Sequence, residues 1–113
     1  MASDLDFVEF VVDQIQNTGV ITSRQMFGGH TLYCDGKVVA LICDNQLFVK
    51  PTKAGKLFIG NVVEAPPYTG ARLFFLIEEQ LEDKEWISSL IRLTEEELPK
   101  PKKKSKKKSG KNT

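Results

Sequence analysis

Two aspartate-led turns, Asp35-Gly36 and Asp44-Asn45, cut the stretch from Arg24 to Pro51 into three short apolar runs. A two-residue type I′ turn needs positive φ at both central positions, which Gly, Asn and Asp tolerate better than other residues. Asp-Gly between alternating apolar segments is therefore a strong hairpin signal, and Asp-Asn repeats the device more weakly. The spacing predicts a three-stranded antiparallel meander, with strands near Gln25 to Cys34, Lys37 to Cys43 and Gln46 to Lys50. Pro51 ends the third strand by removing a backbone donor. The pair Gly28-Gly29 inside the first run predicts a bulge or the close approach of another backbone.

Helical periodicity flanks the meander. Ser3 and Asp6 resemble a capping box, and Leu5, Val8, Val11, Val12 and Ile15 then share one side of a 3.6-residue wheel. A helix from about Asp4 to Asn17 follows, ended by Gly19. Thr52 to Ile59 reads as a short helix capped by Thr52, with Ala54, Leu57 and Phe58 facing inward and Gly55 weakening it. Glu64 to Gly70 contains Pro66 and Pro67 and reads as a loop. Arg72 to Ile77 is then a fourth strand. Its run from Leu73 to Ile77 does not alternate, so either both of its faces are covered or helices pack on one and a partner on the other. Leu81 to Leu93 forms a second amphipathic helix, with Trp86, Ile87, Leu90, Ile91 and Leu93 on one side and Glu82, Asp83 and Glu85 in its first turn. The expected class is α+β: an antiparallel meander of about four strands packed against an N-terminal and a C-terminal amphipathic helix.

Charge divides this chain in two. Residues 1–98 hold all fifteen acids against eight Lys and Arg, a net of −7, whereas residues 99–113 hold eight Lys and no acid. The first segment is expected to be the folded domain and the second a disordered lysine-rich tail. That tail has no apolar side chain to bury, and its like charges repel, so nothing offsets an ordering cost of roughly 1–2 kcal/mol per residue. Lys102, Lys103, Lys104, Lys106, Lys107 and Lys108 are candidate phosphate contacts. Such binding is non-specific, because no helix or aromatic platform accompanies the lysines to read bases. Equally, the tail is a solubilising extension folded back on the negative body.

The N-terminus is acidic, and no apolar run approaches the roughly eighteen residues of a membrane span. The expectation is a cytoplasmic protein without a membrane partner. If Asp35-Gly36 closes a hairpin, Cys34 faces Lys37, and Cys43 lies near the far end of its strand, ~30 Å away at ~3.3 Å per residue. That exceeds the ~7 Å Cα limit for a bridge, so two free thiols are expected.

Catalytic chemistry finds little support. His30 and Cys34 lie ~13 Å apart along an extended chain and share no metal sphere. Cys43 falls opposite Gly28 in the proposed register, which leaves a His30–Cys43 pair to be tested by the fold. Glu78, Glu79, Glu82, Asp83 and Glu85 cluster where a helix N-terminus favours carboxylates. The glycines at 28 and 29 lack the spacing of a phosphate loop. Met26, Phe27 and Phe48 read as core or groove residues. No enzyme, cofactor or metal site is expected.

The segment RQMFGGHTLYCDGKVVALICDNQLFVKPTKAGK, followed by PPYTGARLFFLIEE and by EWISSLIRLTEEELPKPKKKSKKK, resembles the N-terminal domain of the TfoX/Sxy competence regulators and their short stand-alone relatives. The matched features are a basic residue before Met-Phe-Gly, an aromatic, a Tyr-x-Asp-Gly turn and a strand ending in Lys-Pro. The resemblance implies a small non-enzymatic regulator or adaptor with a protein partner. In the full regulators a second helical domain acts with it on transcription of DNA-uptake genes. No catalytic residues transfer with the resemblance. The residues themselves suggest Arg24, His30 and Tyr33 as a contact surface beside a bent strand. A homodimeric interaction module, using an unpaired sheet edge or the apolar fourth strand, is the alternative.

Overall fold

The computed structural model describes residues 5–26 and 29–99. Ser3, Phe27, Gly28 and the lysines from Lys100 onward lie outside them. Helix α1, Leu5–Ile15, runs into a 3₁₀ turn at Gln16–Thr18. Strands β1 (Ile21–Met26), β2 (Gly29–Cys34), β3 (Lys37–Cys43) and β4 (Gln46–Val49) follow. Then come helix α2 (Lys53–Ile59), strands β5 (Glu64–Ala65) and β6 (Phe74–Ile77), a 3₁₀ turn at Glu79–Glu82 and helix α3 (Lys84–Glu97). One antiparallel sheet holds all six strands in the order β1-β2-β3-β4-β6-β5.

The meander forms where its turns require it. Asp35 and Gly36 have φ of 52° and 85°, and Asp44 and Asn45 have 52° and 55°, so both two-residue loops are of the primed kind. Cys34 pairs with Lys37, and Cys43 with Gln46. The sheet is larger than four strands, because the first expected strand is really the second arm of another hairpin. Ile21 to Met26 pairs with Gly29 to Cys34, Met26 standing opposite Gly29. The slip in register lies not at the glycines but between Leu32 and Tyr33 in the β2–β3 ladder. Gly29 does mark a close approach of backbones: a Cβ there would fall on the carbonyl oxygen of Ile42 and 2.8 Å from the Cys43 sulfur.

All three helices lie on one side of the sheet. Val8, Val11 and Ile15 of α1 and Ile87, Leu90 and Ile91 of α3 join Leu32, Ile42, Leu47, Val49, Phe75 and Ile77 in a single buried cluster. Burying each such side chain contributes about 1.5–3 kcal/mol. Leu5 departs from the expected face and is exposed, while Gln14 is buried. The side-chain amide of Gln14 donates to the Leu81 carbonyl (2.8 Å), and the Gln14 backbone carbonyl accepts from the Ser88 hydroxyl (2.8 Å), which stitches α1 to the start of α3. Helix α3 begins three residues later than expected because Asp83 is its cap, accepting from the Trp86 amide. Leu81 instead sits in the preceding 3₁₀ turn.

Helix α2 is capped by Thr52, whose hydroxyl accepts from the Gly55 amide at 2.9 Å. Its inward face is not the expected one. Leu57 is 84% exposed and Phe58 only half-covered by the Trp86 ring, 5.2 Å away, while Gly55 is buried. A Cβ on Gly55 would come within 2.7 Å of the Thr52 hydroxyl and 3.2 Å of Leu90. The missing side chain is what lets α2 approach α3. Glu97 then locks the two helices together, its two carboxylate oxygens accepting from the Lys53 and Ala54 amides at 2.8 and 2.9 Å. Those bonds hold its carboxyl below the usual carboxylate range, the Ala54 bond contributing most. Lys37, at the start of β3, and Glu95 of α3 form an ion pair at 2.9 Å that ties the helix to the sheet.

Candidate functional site

Paired residues in an antiparallel ladder project to the same face, and neighbours along a strand to opposite faces. Arg24 pairs with Thr31, Thr31 with Leu41, Leu41 with Phe48 and Phe48 with Leu76. These five residues therefore form one row across the sheet, on the side opposite the helices. Tyr33 joins that face beside Thr31, opposite Thr22 and Val38. The row is polar at the β1 margin and apolar further in. Arg24 is exposed, Tyr33, Leu41 and Leu76 are half-buried, and Phe48 is only 3% exposed while standing outside the main core cluster.

Of the residues expected to share a contact surface, Arg24 and Tyr33 thus lie on one face, and His30 lies on the other. His30 pairs with Gln25 and Ile42, next to Leu32, and is 9% exposed. Its Nδ1 is buried with no hydrogen-bond partner among the described residues. Of the apolar members of the row, Leu76 belongs to the run whose lack of alternation implies a second covered or partnered face, and Phe48 is the expected core or groove residue. Leu41 is the member that the sequence does not single out.

The fold separates the groups that a nucleophilic site would need. Cys43 stands opposite Gly29, one position from the expected Gly28, and projects away from the side that holds His30 and Ile42. Burial pushes its thiol up, and the neighbouring Asp44 carboxylate adds to the effect. Cys34 is fully buried, its sulfur 3.7 Å from the Thr18 hydroxyl. Burial raises its thiol too, against the opposing Thr18 hydrogen bond. Both cysteines are free, and a raised thiol supplies little thiolate at neutral pH. Glu78, Glu79, Glu82 and Glu85 are exposed and Asp83 caps α3, so the acidic knot is a solvated helix entrance. Among the described residues, no group of three or more His, Cys, Asp or Glu is placed to hold a metal ion. No helix of the described chain is long and apolar enough to cross a membrane.

What these elements define is a small α+β domain, with an antiparallel sheet backed on one side by helices and no catalytic constellation among its described residues. The sequence model of the TfoX N-terminal domain matches residues 13–98, and the chain belongs to that family. It is also 38% identical over 102 residues to the "Uncharacterized 12.7 kDa protein in trpE 5′ region" of Spirochaeta aurantia, a match covering 90% of this chain and 89% of the relative. The resemblance read from the Met-Phe-Gly and Tyr-x-Asp-Gly motifs is thereby established at the level of the family.

Proposed function

We propose that this protein is a non-enzymatic regulatory adaptor, in which the α+β body holds a protein partner and the lysine tail supplies sequence-independent affinity for nucleic acid. The observation that carries this reading is the separation of charge. The body has a net charge of −7, the last fifteen residues carry eight lysines, and α3 ends at a Glu97 clasped to α2, so the tail departs from a fixed point on an acidic domain. The body repels phosphate and the tail attracts it. A partner is taken on the sheet face opposite the helices, with Arg24 and Tyr33 at its polar margin and Leu41 and Leu76 further in. Membership of the TfoX N-terminal domain family supports a regulatory rather than a metabolic role.

The test is fluorescence anisotropy of a labelled duplex with the full chain, and with a full-length variant carrying Gln at Lys102, Lys103, Lys104, Lys106, Lys107 and Lys108. The expected result is binding that weakens with salt, log affinity falling by about 0.9 per phosphate contact for each decade of salt, and that is lost in the variant. Equal binding by both proteins, or none by either at low salt, would remove nucleic acid from the function.

A further inference from the structure

The fold leaves one margin unusually composed. Strand β1 is outermost in the sheet, and beside it runs a groove of about 620 Å³ walled by α1. Val8, Phe10 and Val12 give the groove an apolar part, while Asp6, Glu9 and Asp13 line it with carboxylates. Among the described residues, no Lys or Arg lines it. Positions 6, 9 and 13 fall on one side of the helix and span ~10 Å of its axis. Glu9 and Asp13 are a like-charge pair at i,i+4, an arrangement that weakens a helix unless a cation is supplied. No described Lys or Arg is ion-paired with any of the three.

We infer that this groove is a docking site for a basic extended segment, and that its occupant is the chain's own lysine run, Lys102 to Lys108. Charge complementarity is the first argument: the groove holds three carboxylates with no cation among the described residues, and the chain carries a run of six lysines with no acid. In an extended chain, lysines at alternate positions repeat every ~6.6 Å, close to the ~4.5 and ~6 Å rises between the three helical carboxylates. Reach is the second argument. Arg92 of α3 donates to the Asn17 carbonyl at 3.2 Å, so α3 at Arg92 stands near the C-terminal end of α1. Glu97 is only ~7.5 Å further along that helix. The nine residues from Lys100 to Lys108 extend ~30 Å, enough to run back along α1. The exposed backbone edge of β1 offers further hydrogen bonds to an extended segment. Tethering makes the site effective even if each contact is weak, because a short flexible linker gives an effective concentration of about millimolar.

The docked lysines are withheld from phosphates. That consequence rests on the nucleic-acid reading above, whereas the docking itself does not. Docking is tested without nucleic acid, by zero-length carbodiimide coupling of carboxylates to amines on the full-length protein at low ionic strength and high dilution, with peptide mapping of the monomeric product. Expected are amide links from Lys102 to Lys108 onto Asp6, Glu9 or Asp13, lost at ~1 M salt where the screening length falls to ~3 Å. Links distributed equally over the exposed Glu64, Glu82 and Glu96, links found only in dimers, or no links at all would overturn the assignment.

A second measurement guards against simple charge effects. The variant D6N/E9Q/D13N and the charge-matched control E64Q/E82Q/E96Q are compared for tail amide shifts in ¹⁵N spectra. Tail resonances that move only in the groove variant support docking; the same change in both, or in neither, contradicts it. Failure of duplex binding with intact cross-links would refute the nucleic-acid reading alone.

Discussion

On the helix-covered side of the sheet, Leu32, Ile42, Leu47, Leu90 and Ile91 have no solvent exposure, and the polar groups of Gln14, Ser88 and Thr94 there are hydrogen-bonded to backbone carbonyls, His30 Nδ1 being the buried atom left without a partner among the described residues. Along the α1–β1 margin the composition reverses. Phe10 is exposed, Asp6, Glu9 and Asp13 face solvent, and the strand's outer edge has no neighbouring strand among the described residues. The first region is closed by its own contacts and holds the fold; the second keeps charge that no described Lys or Arg pairs and an open edge, and is where recognition is affordable. Substitutions should therefore move stability in one and binding in the other.

The largest effect expected on the closed side is that of Leu90→Ala. It should cost about 2–5 kcal/mol in urea unfolding, because a fully buried leucine leaves a cavity that the packed helices can only partly fill. A cost below about 1 kcal/mol would mean that α3 is less tightly packed than its burial implies. Gly29→Ala comes next, at about 1–3 kcal/mol, since the added methyl group meets the Ile42 carbonyl, which cannot move without breaking the ladder. Thr52→Ala should cost about 0.5–2 kcal/mol by removing the α2 cap.

Glu97 gives the comparison a pH axis. Its carboxyl lies below its ordinary value in the folded state, so its contribution is present above the unfolded-state value and is lost as pH falls through the folded one. Glu97→Gln should therefore lower Tm at neutral pH and flatten its decline with acid, as followed by thermal melts between pH 7 and pH 3. A variant whose Tm declines as steeply as the parent would show that the clasp contributes nothing to acid sensitivity. Smallest of all is the effect on stability of D6N/E9Q/D13N at the open margin, within about 0.5 kcal/mol of the parent. A loss comparable to that of Leu90→Ala would erase the distinction between the two regions.

How much of this was legible in the sequence follows the same division. The turns at Asp35-Gly36 and Asp44-Asn45 could be read because positive φ at adjacent positions demands particular residues, and the helical faces because burial imposes a period. β1 could not, because ITSRQM is an edge strand with one side toward water and little apolar alternation. Missing it merged two paired strands into one run interrupted by glycines, and hid the fact that Arg24 and Tyr33 share a face while His30 does not. The fourth strand lies between β4 and β5, and β5 falls inside the stretch expected as a loop, because a two-residue strand carries too little pattern to announce itself. In α2 the apolar residues were assigned inward by type, but a close helix contact selected Gly55 instead.

The central claim is that the lysine tail exchanges between the α1–β1 groove and external phosphate. It is tested most directly by ¹⁵N amide spectra of the full chain at low salt as duplex is added, read against the six-glutamine variant without duplex. The account predicts that α1 and β1 amides move toward their positions in that variant as the tail leaves the groove. Identical α1 and β1 spectra for the parent and the variant, while the parent still binds duplex, would contradict it.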